Sequence, residues 1–289
     1  MSGHARTRLD AVIIGAGVAG SATAIWLARA GWSVALVEKQ AFPRRKVCGE
    51  CIAASNLPLL DALGVAPALQ AGCGAELRRV TLLHESRAVT ADLPAARHAG
   101  HPQHRWGRAF GREALDTLLV QAARAAGAQV LQPWTVQALG GGPGHWWCEA
   151  RAPASGGLRR LAAPLLIDAH GSWEPGPGRA WGRSTATVRR DGGDLFAFKA
   201  NFSGATLDPG AIGVLALDGG YGGMVMAGGG ISTLACCIRR DRLSALRSAA
   251  PGSPLEVGTA RAAGAACRRA RVLAPRRSGW DPRAIGPGP

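Results

Sequence analysis

The chain has 289 residues, 47% of them hydrophobic and 18% charged, enough to bury a full core and too apolar for a disordered polypeptide. Its formal net charge of +15 invites a nucleic-acid reading, yet only Lys39, Lys46 and Lys199 are lysines and the arginines are scattered through Ala- and Gly-rich sequence. No basic helix, RNA-binding aromatic stretch or zinc-finger spacing accompanies the charge, so no nucleic-acid partner is expected.

Residues 9–14 form a short apolar run ending in glycines, the pattern of a buried parallel strand. Helical periodicity follows over 18–30, with Gly31 where a helix-ending glycine belongs, and residues 33–37 close a βαβ unit. Residues 41–52 read as a polar loop carrying Pro43, two arginines and two cysteines. Ser55 is placed to cap a short helix ending at Leu63, and segments 77–83 and 88–93 alternate as a hairpin. Residues 112–126 form an amphipathic helix with Leu115, Leu118, Leu119 and Ala122 on one face. A strand over 129–131, a three-stranded meander (134–139, 146–152, 159–162) and an apolar strand over 164–169 come next. Beyond a Pro/Gly/Trp loop at 172–182, segments 195–202, 212–217, 222–226 and 232–238 read as a mainly antiparallel sheet. Residues 240–249 and 255–270 read as helices, and 274–289 shows no periodicity.

No apolar run approaches the roughly 18 residues of a membrane span. The polar N-terminus lacks the apolar core of a secretory signal, which leads to the expectation of a cytoplasmic protein without an integral membrane segment. Seven cysteines, an odd number, point to reduced thiols. Cys48 and Cys51 form a C-x-x-C, but no second pair or His-rich segment completes a zinc ligand set, so no metal site is read there. A packing role is the simpler account of Cys51, and a dithiol relay with Cys48 is the alternative.

The stretch Gly15, Ala16, Gly17, Val18, Ala19, Gly20 is a G-x-G-x-x-G placed between a strand and a helix, which is the context a dinucleotide site needs. Gly15 permits the tight turn, Gly17 lets backbone approach a pyrophosphate, and Gly20 lets helix and strand pack closely. The helix N-terminus offers N–H groups and a positive dipole end to phosphate. Glu38, at the end of the second strand, stands where an acid binds ribose hydroxyls, which favours FAD or NAD over NADP.

The run Leu36-Val37-Glu38-Lys39, followed by Phe42-Pro43-Arg44-Arg45-Lys46-Val47-Cys48-Gly49-Glu50, resembles a conserved block of the geranylgeranyl-reductase-like and monooxygenase-like FAD oxidoreductases. Gly111 to Asp116 is similar to the R-x-x-L/F-D helix of that family. Residues 166–172 (LIDAHGS) resemble its G-A-D-G-S block, with His170 where the family has an acid. The resemblance implies FAD as cofactor, with Arg45 and the Cys48-Gly49-Glu50 backbone beside the isoalloxazine and Arg112 near the phosphates. Lys39, Asp168 and Gly171 complete the implied cofactor contacts. It further implies NAD(P)H as hydride donor and a hydrophobic or aromatic small-molecule substrate, with hydride passed to dioxygen chemistry or to a C=C bond. The tryptophan motif of flavin halogenases is absent. Phe196, Phe198, Phe202, Tyr221, Met224 and Met226 would wall a substrate pocket, although plain core accounts for the same residues. No catalytic base stands out.

The fold class expected is therefore α/β: a Rossmann-like FAD-binding fold with a parallel sheet and a β-meander, plus a mainly antiparallel β substrate region. The organisation read from the chain is 1–74 and 105–175 for the FAD-binding region, 75–104 as a hairpin serving the substrate region, 176–250 as the β-rich substrate region and 251–289 as an incomplete segment. The family's later G-D/N-A-A-G block does not occur before Pro289, so a C-terminally truncated member is expected. The alternative function is then a catalytically inactive flavoprotein fragment.

Overall fold

Four consecutive apolar residues leave a strand no face for water, and two such strands form the centre of the molecule. The computed structural model describes residues 8–85, 87–97, 101–153, 156–171, 191–203 and 207–248. In it β1 (Ala11–Ile14) is buried at every position. Helix α1 (Val18–Arg29) crosses over, and the positive φ of Gly31 (84°) turns the chain into β2 (Val34–Val37), again buried throughout. The two strands pair in parallel from Ala11↔Val34 to Ile14↔Val37.

The polar loop leads to a two-residue strand, β3 (Cys51–Ile52), and a 3-10 turn (Ala54–Asn56). Ser55 therefore sits inside a turn and caps nothing. Helix α2 (Leu57–Ala62) starts after Asn56 without a side-chain cap, because Pro58 presets the first turn. A second short helix, α3 (Ala66–Gly72), begins the same way at Pro67; its brevity hid it from periodicity. Then come β4 (Glu76–Leu77), β5 (Arg79–His84) and β6 (Arg87–Asp92). The expected hairpin is β5–β6, with Arg79 opposite Asp92 and His84 opposite Arg87. Leu77 belongs instead to β4, which pairs with β7 (Gly107–Ala109).

Helix α4 (Arg112–Ala125) buries Leu115, Asp116, Leu119, Val120 and Ala123, an inward face rotated slightly from the one periodicity indicates. It packs on α1 and runs into β8 (Gln129–Leu131). The meander is β9 (Thr135–Gly142), β10 (His145–Arg151) and β11 (Leu158–Ala163), with Cys148 and Ala150 fully buried against the sheet. β12 (Leu165–Asp168) returns beside β1, which gives the parallel order β8-β2-β1-β12. One side of this sheet carries α1 and α4, the other the meander.

The second large sheet contains β13 (Leu195–Ser203), β14 (Ala211–Leu217), β15 (Gly220–Met226) and β16 (Ile231–Arg239), and helix α5 (Arg240–Ser248) follows. Its order is β13-β16-β15-β14-β5-β6, antiparallel except where β14 runs parallel to β5. Registers Asn201↔Thr233 and Val225↔Thr233 put these residues on one face with Lys199 and Tyr221. Phe196, Phe198, Phe202, Met224 and Met226 occupy the other face, in the core shared with Leu243 of α5. Five of the six side chains expected to wall one pocket are thus core, and Tyr221, 57% exposed, lies on the opposite face. The α/β class, the parallel sheet, the meander and the antiparallel sheet are all present as read from the sequence. The loop at 172–182, the helix at 255–270 and the segment 274–289 lie outside the described residues. No described helix is long and apolar enough to cross a membrane.

Candidate cofactor site

The three glycines of the turn have different reasons to be glycine. A Cβ on Gly15 (φ 98°) would lie 2.4 Å from the Ala169 carbonyl oxygen, and one on Gly20 would lie 1.8 Å from that of Gly15. Both positions are closed by backbone. A Cβ on Gly17 would instead project toward the guanidinium nitrogens of Arg44 and Arg112, 3.7 and 4.0 Å away. Ala16 between them is fully buried. Val18 and Ala19 open α1, whose first turn has no side-chain cap and no acidic residue, so its positive end is not neutralised locally.

Glu38 is 6% exposed and held at the tip of β2. Its carboxylate accepts from the amides of Ala16 and Gln40, each at 2.9 Å. A carboxylate has about four lone-pair sites, so two remain for hydroxyl donors. Beside it opens a cleft of about 150 Å³, with Gly15, Lys39, Arg44, Trp134, Val136 and His170 among its walls.

Arg44 and Arg112 share one acid. Arg112 makes a bidentate contact with Asp116 (2.9 and 3.0 Å), and Arg44 approaches the same carboxylate at 3.5 Å. Asp116 is wholly buried; burial pushes its carboxyl up, opposed by Arg112 and then by Arg44 and Lys46. Burial works against the Arg112 charge, but Asp116 outweighs it and the guanidinium pKa is raised, with Cys48 close enough to add to the effect. The Nε of Arg44 is buried and has no partner, an orphaned donor beside the Gly17 cradle. Arg45, the neighbour singled out from sequence, points outward and pairs with Glu113 at 3.2 Å, 61% exposed. The structure therefore gives Arg44, not Arg45, the inward place.

Cys48 accepts a hydrogen bond from the Glu50 amide at 3.5 Å, and Gly49 has open space around its α-carbon. The Cys51 thiol is pushed up by burial of its sulfur and then by Cys48, although the residue as a whole is exposed; this is the opposite of what a reactive thiolate needs. Asp168, at the end of β12, pairs with His170 Nδ1 and accepts from the His170 amide at 3.2 Å. Gly171 (φ 102°) lies where a Cβ would come 3.3 Å from Lys46 Nζ.

One residue that sequence reasoning names only for its backbone gains a side-chain role. Glu50 is 4% exposed and has a positive φ of 55°, unusual for a residue with a side chain. One carboxylate oxygen accepts from the Arg112 amide at 3.0 Å and pairs with Lys199; the other accepts from Thr233 Oγ1 at 2.6 Å. Its partners lie 62, 149 and 183 residues away, so no local sequence signal marks this role.

Residues 8–187 match the family model described as an FAD binding domain. A segment of 60 residues is 48% identical to menaquinone reductase of Mycolicibacterium smegmatis, covering 21% of this chain and 15% of that one. The fold is similar to a flavoprotein/dehydrogenase from Cytophaga hutchinsonii (TM-score 0.71, 19% identity, 92% of this chain and 63% of that chain). It is also similar to a geranylgeranyl bacteriochlorophyll reductase-like protein from Thermoplasma acidophilum (TM-score 0.66, 19% identity, 85% and 62%). The chain thus spans less than two thirds of either solved relative. With more than half of its length matched, the chain belongs to the FAD binding domain family.

Proposed function

We propose that the chain binds FAD and serves an FAD-dependent oxidoreductase, and that the observation carrying this is the cationic cradle at Gly17. An uncapped helix end, an open glycine, two guanidiniums sharing one carboxylate and a buried Arg44 Nε without a partner fit a pyrophosphate. Gly15, Ala16, Gly17, Val18, Ala19 and Gly20 would supply the backbone of that cradle, with Arg112 and Arg44 as its cations. Glu38 would take the ribose hydroxyls, and its charge would repel a 2′-phosphate. Lys39, Trp134 and Val136 would border the adenosine end through the cleft beside Glu38. Cys48 and Gly49 would lie along the isoalloxazine, with Arg45, Asp168 and Gly171 as outer contacts.

When bound, FAD supplies hydride chemistry; the protein supplies orientation and electrostatics. In this reading Asp116 holds the Arg112 guanidinium in one orientation, and Glu50 holds the start of α4 that carries it. Reduced nicotinamide would be the hydride donor and a hydrophobic or aromatic small molecule the substrate, entering from the side of the antiparallel sheet that carries Lys199 and Thr233. Purified chain passed through gel filtration with and without added FAD tests the reading. Flavin absorption that co-elutes, and that bleaches anaerobically with NADH, is the expected result. Protein that stays colourless with FAD in excess would overturn it and leave an inactive fragment.

A further inference from the structure

Among the described residues, a cluster of ligating side chains outside the cradle is unused by any role above. Asp61 projects from α2. His101 and His104 lie in the turn before β7, where the His104 amide donates to the His101 carbonyl at 3.1 Å. That turn is held by the Ala96 amide bonding to the Arg105 carbonyl at 2.7 Å. The two imidazoles stack, with centroids 5.9 Å apart and planes 18° apart. His104 Nε2 lies 2.5 Å and His101 Nδ1 4.0 Å from the same oxygen, Asp61 Oδ2.

A part-buried His–Asp hydrogen bond explains one of these contacts and not the other. The His101 nitrogen is beyond hydrogen-bond reach of the carboxylate. Each imidazole offers a ring nitrogen of the kind that commonly ligates such metals. All three donor atoms lie within 4.8 Å of one another. Ligands about 2.0–2.1 Å from a tetrahedral zinc ion stand about 3.3 Å apart, so an ion seated among them needs movements of only about 1 Å. The 2.5 Å contact would open and the 4.0 Å contact would close. His104 is 9% exposed, so one ligand is fixed by packing, whereas Asp61 (28%) and His101 (40%) leave the site open to entry. Arg108 lines the same cavity as Asp61 and His104, with its guanidinium donating to the Gly74 carbonyl at 3.3 Å.

We propose that Asp61, His101 and His104 form a site for a divalent first-row transition-metal ion of the zinc class. Two imidazoles and one carboxylate suit such an ion, and an open fourth position is left to water. Bound there, the ion ties α2 to the segment that enters β7, and β7 is the strand paired with β3 directly after Glu50. The site uses none of the cradle residues, so its test is independent of flavin binding.

Isothermal titration of the untagged full chain with Zn²⁺ is the experiment. One equivalent should bind saturably, and Asp61→Asn and His101→Ala should each weaken binding by about tenfold or more. His101 is exposed enough that its replacement leaves the fold intact, which keeps the test decisive where His104→Ala unfolds. Cys51→Ser should leave zinc affinity unchanged. Absence of saturable uptake, uptake unaffected by His101→Ala, or uptake lost in Cys51→Ser would each overturn the proposal.

Discussion

β1 and β2 bury all four of their residues, whereas β6 exposes all six of its own. The parallel sheet is covered on one side by helices and on the other by the meander, so it has no face free for polar groups. Its chemistry is pushed to the strand ends: Gly15 after β1, Glu38 after β2, Asp168 closing β12. The antiparallel sheet buries one face against α5 and places Lys199, Asn201 and Thr233 in the middle of the other. How fully a sheet is covered thus decides where it can carry polar residues. Glu50 bridges the two designs, since its carboxylate bonds both the start of α4 and the polar face of the antiparallel sheet.

The largest expected effect comes from cutting that bridge. Glu50→Ala strands the nearly buried Lys199 ammonium and should lower unfolding stability by about 3–5 kcal/mol in urea denaturation. Adding Lys199→Met should recover part of the loss. A cost under about 1 kcal/mol for Glu50→Ala would show that apolar packing alone joins the two sheets.

A second test addresses the meander side of the parallel sheet. Burial pushes the Cys148 thiol from 9.0 up to about 11. A folded-state pKa raised above the unfolded value adds stability that is intact below pH 9 and fades as pH climbs toward 11. Two pKa units correspond to about 2–3 kcal/mol. Denaturation curves of wild type and Cys148→Ala between pH 8 and 11 should therefore converge as pH rises; parallel curves would mean the thiol is not desolvated as its burial indicates.

The smallest stability effect separates binding from packing within one turn. Gly20→Ala drives a Cβ into the Gly15 carbonyl and should cost about 1–3 kcal/mol. Gly17→Ala brings its Cβ only into ordinary contact with the Arg44 and Arg112 guanidiniums and should stay within about 1 kcal/mol of wild type, yet weaken FAD retention by about tenfold or more. Equal FAD retention in wild type and Gly17→Ala would remove the pyrophosphate from this cradle.

The legible parts share a local origin. The β1–α1–β2 unit was readable because strands buried on both faces must be continuously apolar and because Gly15 and Gly20 answer backbone contacts. The meander was readable because one exposed face imposes alternation. Helix α3 was not, since seven residues with Pro67 in the first turn make too little periodicity to detect. Ser55 misled for a related reason: a capping residue type is informative only if a helix starts there, and Pro58 moved the start.

Within the candidate site, the sequence by itself determined the turn, the acid at Glu38 and the helix beginning at Arg112, since each is dictated by backbone geometry over a few residues. Only the tertiary structure decided that Arg44 turns inward and Arg45 outward, because the choice depends on reaching Asp116 or Glu113 on a distant helix. It also decided which face of the antiparallel sheet is core, sending five aromatic and methionine side chains toward α5. Glu50 shows the same division most clearly: its type and its place after Cys48 are visible in the chain. Its role as a junction exists only once Lys199 and Thr233 are folded against it, because a buried charge is defined by partners and not by neighbours in sequence.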